Sequence, residues 1–212
     1  MKKYLYAVLL TLFVSAASAQ IKFGAKAGVN FSSPSLRSSL ADLPFNISSR
    51  TAWHAGVVSE IEMSKQFYFQ PGLTLSEKGY KLSAIGNVSS VYQTLSPLYL
   101  EIPLNVVAKF PAGIGKILLG AGPYIGFGLG GKAKITFSDG SSSEEKILFG
   151  KDKYLNSTDL GLNFLAGYEL PKGFFLSCNY GLGLSNINTS SELIQKNRVV
   201  SVSLGYFIFQ TK

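Results

Sequence analysis

The stretch YLEIPLNVVAKF, Tyr99 to Phe110, sets two unlike faces on one segment. Leu100, Ile102, Leu104, Val106, Ala108 and Phe110 are apolar at every second position, while Tyr99, Glu101, Pro103, Asn105, Val107 and Lys109 fall between them. A period of two is the mark of a β-strand. The content of the second face is foreign to a soluble sheet. Pro103 donates no ladder hydrogen bond, and a buried Glu101 needs a partner or an aqueous compartment. The fold must therefore place an apolar face and a charged face on opposite sides of one long strand.

The same pattern repeats along the chain. KFGAKAGVNF, residues 22–31, sets Phe23, Ala25, Ala27, Val29 and Phe31 against Lys22, Lys26 and Asn30, and a Ser/Pro-rich loop follows to about Arg50. Ala52 to Met63 sets Trp53, Ala55, Val57 and Ile61 against His54, Glu60 and Glu62, and Ser64-Lys65 turns the chain into QFYFQPGLTLS. A second loop spans about Glu77 to Leu95 before the opening strand. Pro111-Ala112-Gly113 then turns into KILLGAGPYIGFGL, and a third and longest loop spans about 131–157. DLGLNFLAGYEL and FFLSCNYGLGLS, joined at Pro171-Lys172-Gly173, and RVVSVSLGYFIF complete eight strands. Short and long connections alternate strictly, and no segment has a helical period.

Alternation does not say which face points inward. A lipocalin-like barrel turns its apolar face in, whereas an outer-membrane barrel turns it to lipid and keeps a polar lumen. Three features select the membrane sense. The less apolar face is rich in Gly, Ser, Asn and Thr with isolated charges, which suits a narrow lumen. Aromatics gather near strand ends on the apolar face, with Phe31, Trp53 and Phe127 by the long loops and Phe23, Phe67, Phe110, Phe174 and Tyr206 by the short turns. The connectivity matches short periplasmic turns and long extracellular loops, with both termini periplasmic. Lipid forbids an open sheet edge, so the strands close on themselves. Eight strands leave an interior just wide enough to be filled by side chains. The expected fold is an all-β, eight-stranded, antiparallel up-and-down transmembrane β-barrel. Pro71, Pro103 and Pro123 are expected at bulges or near strand ends.

The first residues agree with export. Lys2 and Lys3 precede an apolar run from Leu5 to Val14 and the small residues Ala17-Ser18-Ala19. This reads as a signal peptide over 1–19, cleaved after Ala19, with a barrel domain over 20–212 in the outer membrane. The run is too short to span a bilayer as a helix. Charged residues make up 15% of the chain, against about 25% in soluble domains. The formal net charge is +8, but the lysines are dispersed without interleaved aromatics, so nucleic acid is excluded as a partner. The single cysteine, Cys178, excludes an internal disulfide and falls on the lipid-facing parity.

FYFQPGLTLSEKGY, YLEIPLNVVAKF, LGAGPYIGFGL, DLGLNFLAGYEL and NYGLGLSNI, in this order, resemble the PorT-like outer-membrane β-barrel family of Bacteroidetes. Gly72 departs from the acidic residue expected after the proline, and Gln210-Thr211-Lys212 extends past the usual terminal aromatic. The resemblance implies an integral outer-membrane protein. One member of that family is tied to protein secretion, a role that the resemblance alone does not carry over.

The chemistry candidates lie on the lumen parity. Lys22, Lys26, Glu60, Glu62, Glu101, Lys109, Asp159 and Glu169 are expected to form a lumen charge network. Mutual neutralisation would plug the barrel, and a charged constriction would conduct ions; the plug is the favoured reading, with Lys26 and Lys109 as candidate partners of Glu101. His54 is the only histidine, which rules out a histidine metal cluster. With Asp159 and a serine it could imitate an acyl-transfer site. The bland reading, a lumen or rim histidine, is preferred. No enzyme activity and no cofactor is expected. The expected role is structural or adhesive through the extracellular loops, with a secretion component or a narrow channel as alternatives. Expected partners are outer-membrane lipid and lipopolysaccharide, the barrel-assembly machinery and a ligand at the loops, the chain itself being a monomer.

Overall fold

The computed structural model describes residues 21–38, 45–84, 91–150, 153–190 and 192–210, and among these there is no helix. The signal peptide reading and its cleavage site lie outside the described residues. Antiparallel pairing runs from β1 (Ile21–Ser32) to β3 (Phe45–Glu62), and from β3 to β4 (Phe67–Glu77) and β5 (Tyr80–Ala84). Both β4 and β5 pair with β6 (Val91–Ala112), which pairs with β7 (Gly115–Thr136). From β7 the ladder passes through β9 (Thr158–Glu169), β10 (Phe174–Gly183) and β12 (Arg198–Gln210). β12 then pairs with β1, and the ring of eight strands closes. Closure leaves no edge to lipid, as a membrane-spanning sheet requires.

Side-chain exposure follows the alternation. On β6, Leu104, Val106 and Phe110 are exposed while Pro103, Asn105, Val107 and Lys109 are buried. The outer wall is apolar all round, and every aromatic assigned to the two girdles is exposed on it, Phe174 and Tyr206 with ring centroids 4.5 Å apart. Cys178 is exposed on the same face. The puzzle of the opening stretch is resolved at this level: one barrel wall separates hydrocarbon outside from a polar interior.

At one end the ring strands meet in short turns. The β6–β7 turn falls at Gly113-Ile114, past the Pro111-Ala112-Gly113 expected, and the β9–β10 turn ends at Gly173. Gly113 and Gly173 have φ of 57° and 88°, a left-handed conformation that glycine adopts without steric cost.

The other end is more structured than the sequence suggests. The segments read as loops contain β2 (Ser35–Ser38), β5, β8 (Ser142–Lys146) and β11 (Leu193–Lys196), while β3, β6 and β7 extend beyond the expected boundaries. β2 pairs with β11 and β8 with β7. The prolines also differ from expectation. Pro103 and Pro123 lie inside β6 and β7 with the register unchanged across them, and the β6–β7 irregularity sits at Leu98/Tyr99. Pro71 pairs with Leu104 in mid-strand. Each proline still donates no ladder hydrogen bond, so the ladder lacks one bond on one side at each of these sites.

Candidate functional site

The lumen is built in layers, each supplied by inward positions of several strands. At the turn end, Lys109 of β6 places its Nζ 2.6 Å from Glu60 of β3 and in contact with Glu169 of β9. Lys22 of β1 lies 3.7 Å from Glu60 and 3.4 Å from Glu169, and Gln70 Nε2 donates to Glu60 at 3.0 Å. The Lys109 ammonium also sits 4.6 Å from the Tyr68 ring centroid and 5.5 Å from that of Phe207. Two cations face two carboxylates, and each buried charge has a partner.

Directly inward from this cluster lies an apolar layer. Val58, Val107, Leu118, Phe175 and Phe207, drawn from five of the eight ring strands, pack together inside the lumen with Leu165 against them. Sequence reading assigns most of these positions to the lumen by parity but does not distinguish them from the polar ones. Two of the large side chains lie beside glycines on the neighbouring strand: Phe175 pairs with Gly205, and Phe207 with Gly24.

Above the apolar layer is a polar chamber of about 50 Å³. Lys26, His54, Thr74, Asn105 and Glu101 are among its lining residues. His54 is held at one side, its Nδ1 2.8 Å from Asn30 Oδ1 and its Nε2 2.8 Å from Ser203 Oγ. Asn30 in turn donates to Ser76 Oγ at 3.0 Å and to the Glu77 carbonyl at 2.9 Å. Asp159 takes no part in this chain, so the His54–Asp159 pairing weighed from the sequence does not form.

A second ion cluster closes the chamber towards the loop end. Lys78 Nζ lies 2.5 Å from Glu101 and 2.8 Å from Asp159, with the Tyr99 and Tyr124 ring centroids at 5.0 and 4.8 Å. Asp159 also accepts from Tyr124, Asn197 and Ser185 at 3.2, 2.8 and 3.4 Å. Glu101 therefore pairs with Lys78, not with Lys26 or Lys109. The reason is local: Lys78 follows Ser76 on the inward parity, and the β3 register shifts between His54↔Ser76 and Ser49↔Tyr80. The strand expected from the sequence ends at Ser76, which places Lys78 in a loop. The run Gln70, Gly72, Thr74, Ser76, Lys78 and Tyr80 is the signal that would have found it.

Of the eight residues expected in one network, Lys22, Glu60, Lys109 and Glu169 meet at the turn end, and Glu101 and Asp159 meet around Lys78. Lys26 and Glu62 make no ion pair within 4 Å among the described residues. Gln70, Tyr124 and Asn197 complete the clusters, and no spacing in the sequence singles them out.

The loops seal the upper mouth. Ile147, Leu155 and Ile187 form a buried cluster with Leu95, Ala133 and Phe149 packed on it. Phe149 lies edge-on to Tyr99 at 5.2 Å and covers Gly128 so closely that a Cβ there would meet its ring. Backbone bridges join Phe149 to Leu155 and Leu155 to Asn188, and Gln195 Nε2 donates to Tyr80 OH at 2.9 Å. Beyond this cap the β7–β8 hairpin is exposed, with Lys132 3.4 Å from Glu144. In its turn Asp139 accepts from the Ser141 hydroxyl and amide, which holds its carboxyl below the usual range.

Several solved structures are similar in shape to this chain. Neisserial surface protein A shares 16% identity with a TM-score of 0.45, over 88% of this chain and 97% of that one. OprG from Pseudomonas aeruginosa shares 14% with a TM-score of 0.39, over 91% and 97%. Ail, the attachment invasion locus protein of Yersinia pestis, shares 12% with a TM-score of 0.37, over 89% and 99%. A comparison with curated proteins finds no match. The model of one family, described as the outer membrane protein beta-barrel domain, matches residues 15–188, most of the chain. With that match on a closed ring whose outer wall is apolar, the chain belongs to the outer membrane protein beta-barrel domain family and its place is the outer membrane.

Proposed function

We propose that the barrel is a sealed anchor and that its work, structural or adhesive, is done by the interlinked loops on the cell surface. The observation that carries this reading is the double closure of the lumen. The apolar layer of Val107, Leu118, Phe175 and Phe207 stops one end, and Phe149 with the Ile147–Leu155–Ile187 cluster stops the other. Water and ions cross apolar constrictions poorly. Short turns face the periplasm and long loops the outside in barrels of this kind, which directs the capped end outward. The rim of that end carries exposed Leu148, Tyr154, Ile194 and the charged β7–β8 hairpin, a mixed surface fit for binding lipopolysaccharide or a protein ligand.

The reading is non-enzymatic. Ser203, His54 and Asn30 are linked as in a hydrolytic triad, but the Ser203 side chain is buried and lies outside the chamber wall. Planar-bilayer recording tests the whole proposal: the purified protein should show no single-channel current. A steady, ion-selective current would overturn the sealed anchor in favour of the narrow channel. A second reading, kept as an alternative from the sequence, is a component of a secretion machine. That reading expects periplasmic partners to co-purify with the barrel and export to fail on deletion.

A further inference from the structure

The chamber between the two closures contains groups that the surrounding protein does not satisfy. Thr74 Oγ1 and Asn105 Oδ1 are buried without a hydrogen-bond partner, and both residues line the chamber. Lys26 lines it too and has no carboxylate within 4 Å among the described residues. The carboxylate whose charge reaches Lys26 is Glu101, and that group is already 2.5 Å from Lys78. The charged side chains lining the chamber are Lys26, Lys78 and Glu101, a positive excess. Asp159 offsets it only from behind Lys78, which it contacts directly.

An ammonium in a low-dielectric interior without a contacting counter-charge is costly. Water alone would satisfy Thr74 and Asn105 but would leave that charge unmatched. A chamber of about 50 Å³ holds roughly three water-sized bodies, too few for a phosphate or a carboxylate with its hydration. The donors suit something small and negative. Lys26 offers three N–H groups, Thr74 a rotatable hydroxyl, and Asn105 an amide whose two ends exchange by a flip.

We propose that the chamber is a buried binding site for a small monovalent anion of the halide class, held by Lys26 with Thr74 and Asn105. The apolar layer below and Lys78 with the loop cap above make it a site enclosed during folding, not a step on a conduction path. The anion gives the half-buried Lys26 of the upper lumen the contact partner that Glu60 and Glu169 give Lys22 in the lower.

Bromide is the probe. The native chain is refolded into detergent in sodium bromide, crystallised and measured at the bromine edge. An anomalous peak in the chamber, in contact with Lys26 Nζ and Thr74 Oγ1, is expected. Density without anomalous signal, bridging Lys26 to Glu101 as water, would overturn the proposal. Unfolding in urea supplies a second readout, in sodium chloride against sodium gluconate at equal ionic strength. Gluconate screens equally but is too large to enter. The native protein should have the higher midpoint in chloride, Thr74→Val a smaller difference and Lys26→Met none. Equal midpoints for the native protein in the two salts would sink the site, and Thr74→Val keeps the comparison available if Lys26→Met fails to fold.

Discussion

The two ion clusters of the lumen share one motif and differ in how the backbone supplies it. In each, a buried lysine sits between two carboxylates and beside two aromatic rings: Lys109 with Glu60, Glu169, Tyr68 and Phe207, and Lys78 with Glu101, Asp159, Tyr99 and Tyr124. The lower cluster comes entirely from the regular alternation of ring strands, and Lys22 balances its charge in contact. The upper cluster hangs on Lys78 at the break between β4 and β5, and neutral donors from Tyr124, Asn197 and Ser185 take the place of a second cation. Regular strands thus build a charge-balanced floor. Irregular backbone builds a lid in which loop residues share the work.

The lower cluster should break hardest. Lys109→Met removes the ammonium between Glu60 and Glu169 and leaves two buried carboxylates to the more distant Lys22. Loss of one partner from a buried pair costs roughly 3–5 kcal/mol, and the result should approach the upper part of that range. Urea unfolding in detergent micelles would show it as a large drop in midpoint. A midpoint within experimental error of the native value would mean that the floor cluster contributes nothing to stability.

Lys78→Met should cost somewhat less, about 3 kcal/mol, because Asp159 keeps its neutral donors. Its second consequence separates the two clusters. Asp159 ties Lys78 to Asn197 and Ser185, so the lid should loosen before the ring opens. Limited proteolysis on intact cells should cut within residues 185–197 of the variant under conditions that spare both the native protein and Lys109→Met. Identical cleavage in all three would show that Lys78 does not fasten the lid.

The contrast extends across the barrel wall to the outer face of β6. Leu104 is exposed on the lipid side, three residues from Glu101 and one from the chamber residue Asn105. Leu104→Arg should cost about 2–4 kcal/mol at the membrane midplane, measured by reversible unfolding in phospholipid vesicles. The penalty should shrink in detergent, where the belt is thinner and wetter. Equal stability of Leu104→Arg and native protein in vesicles would refute the facing of this strand.

The same distinction decides what the sequence made legible. Period-two alternation over Tyr99–Phe110 reads correctly because lipid on one side and lumen on the other impose opposite chemistry on neighbouring residues. It gives the ring strands, the facing of Glu60, Lys109 and Glu169, and the outward aromatics. It fails where the chain leaves that regime. Above the membrane both faces of β2, β5, β8 and β11 meet water or one another, so no alternation marks them. Lys78, the partner of Glu101, is hidden otherwise: the alternation does run through it to Tyr80, past the strand end expected at Ser76. The apolar stopper was hidden differently: Val58, Leu118 and Phe207 look like any apolar residue until the ring places them on one level.

The smallest effect belongs to the exposed hairpin, and it isolates burial as the variable. Lys132 and Glu144 form an ion pair at 3.4 Å with side chains 73% and 54% exposed, whereas Lys109 and Glu60 are closer and almost wholly enclosed. The chemistry is the same lysine–carboxylate contact. In water the attraction is weak, and holding two long side chains in one geometry costs entropy, so such pairs contribute about 0–1 kcal/mol. Screening over about 8 Å at physiological ionic strength weakens the exposed pair further and reaches an enclosed one far less. Lys132→Ala should therefore shift the urea midpoint barely at low salt and not at all at high salt, while the deficit of Lys109→Met should persist in both. A loss for Lys132→Ala comparable to that for Lys109→Met would mean that burial is not what distinguishes them.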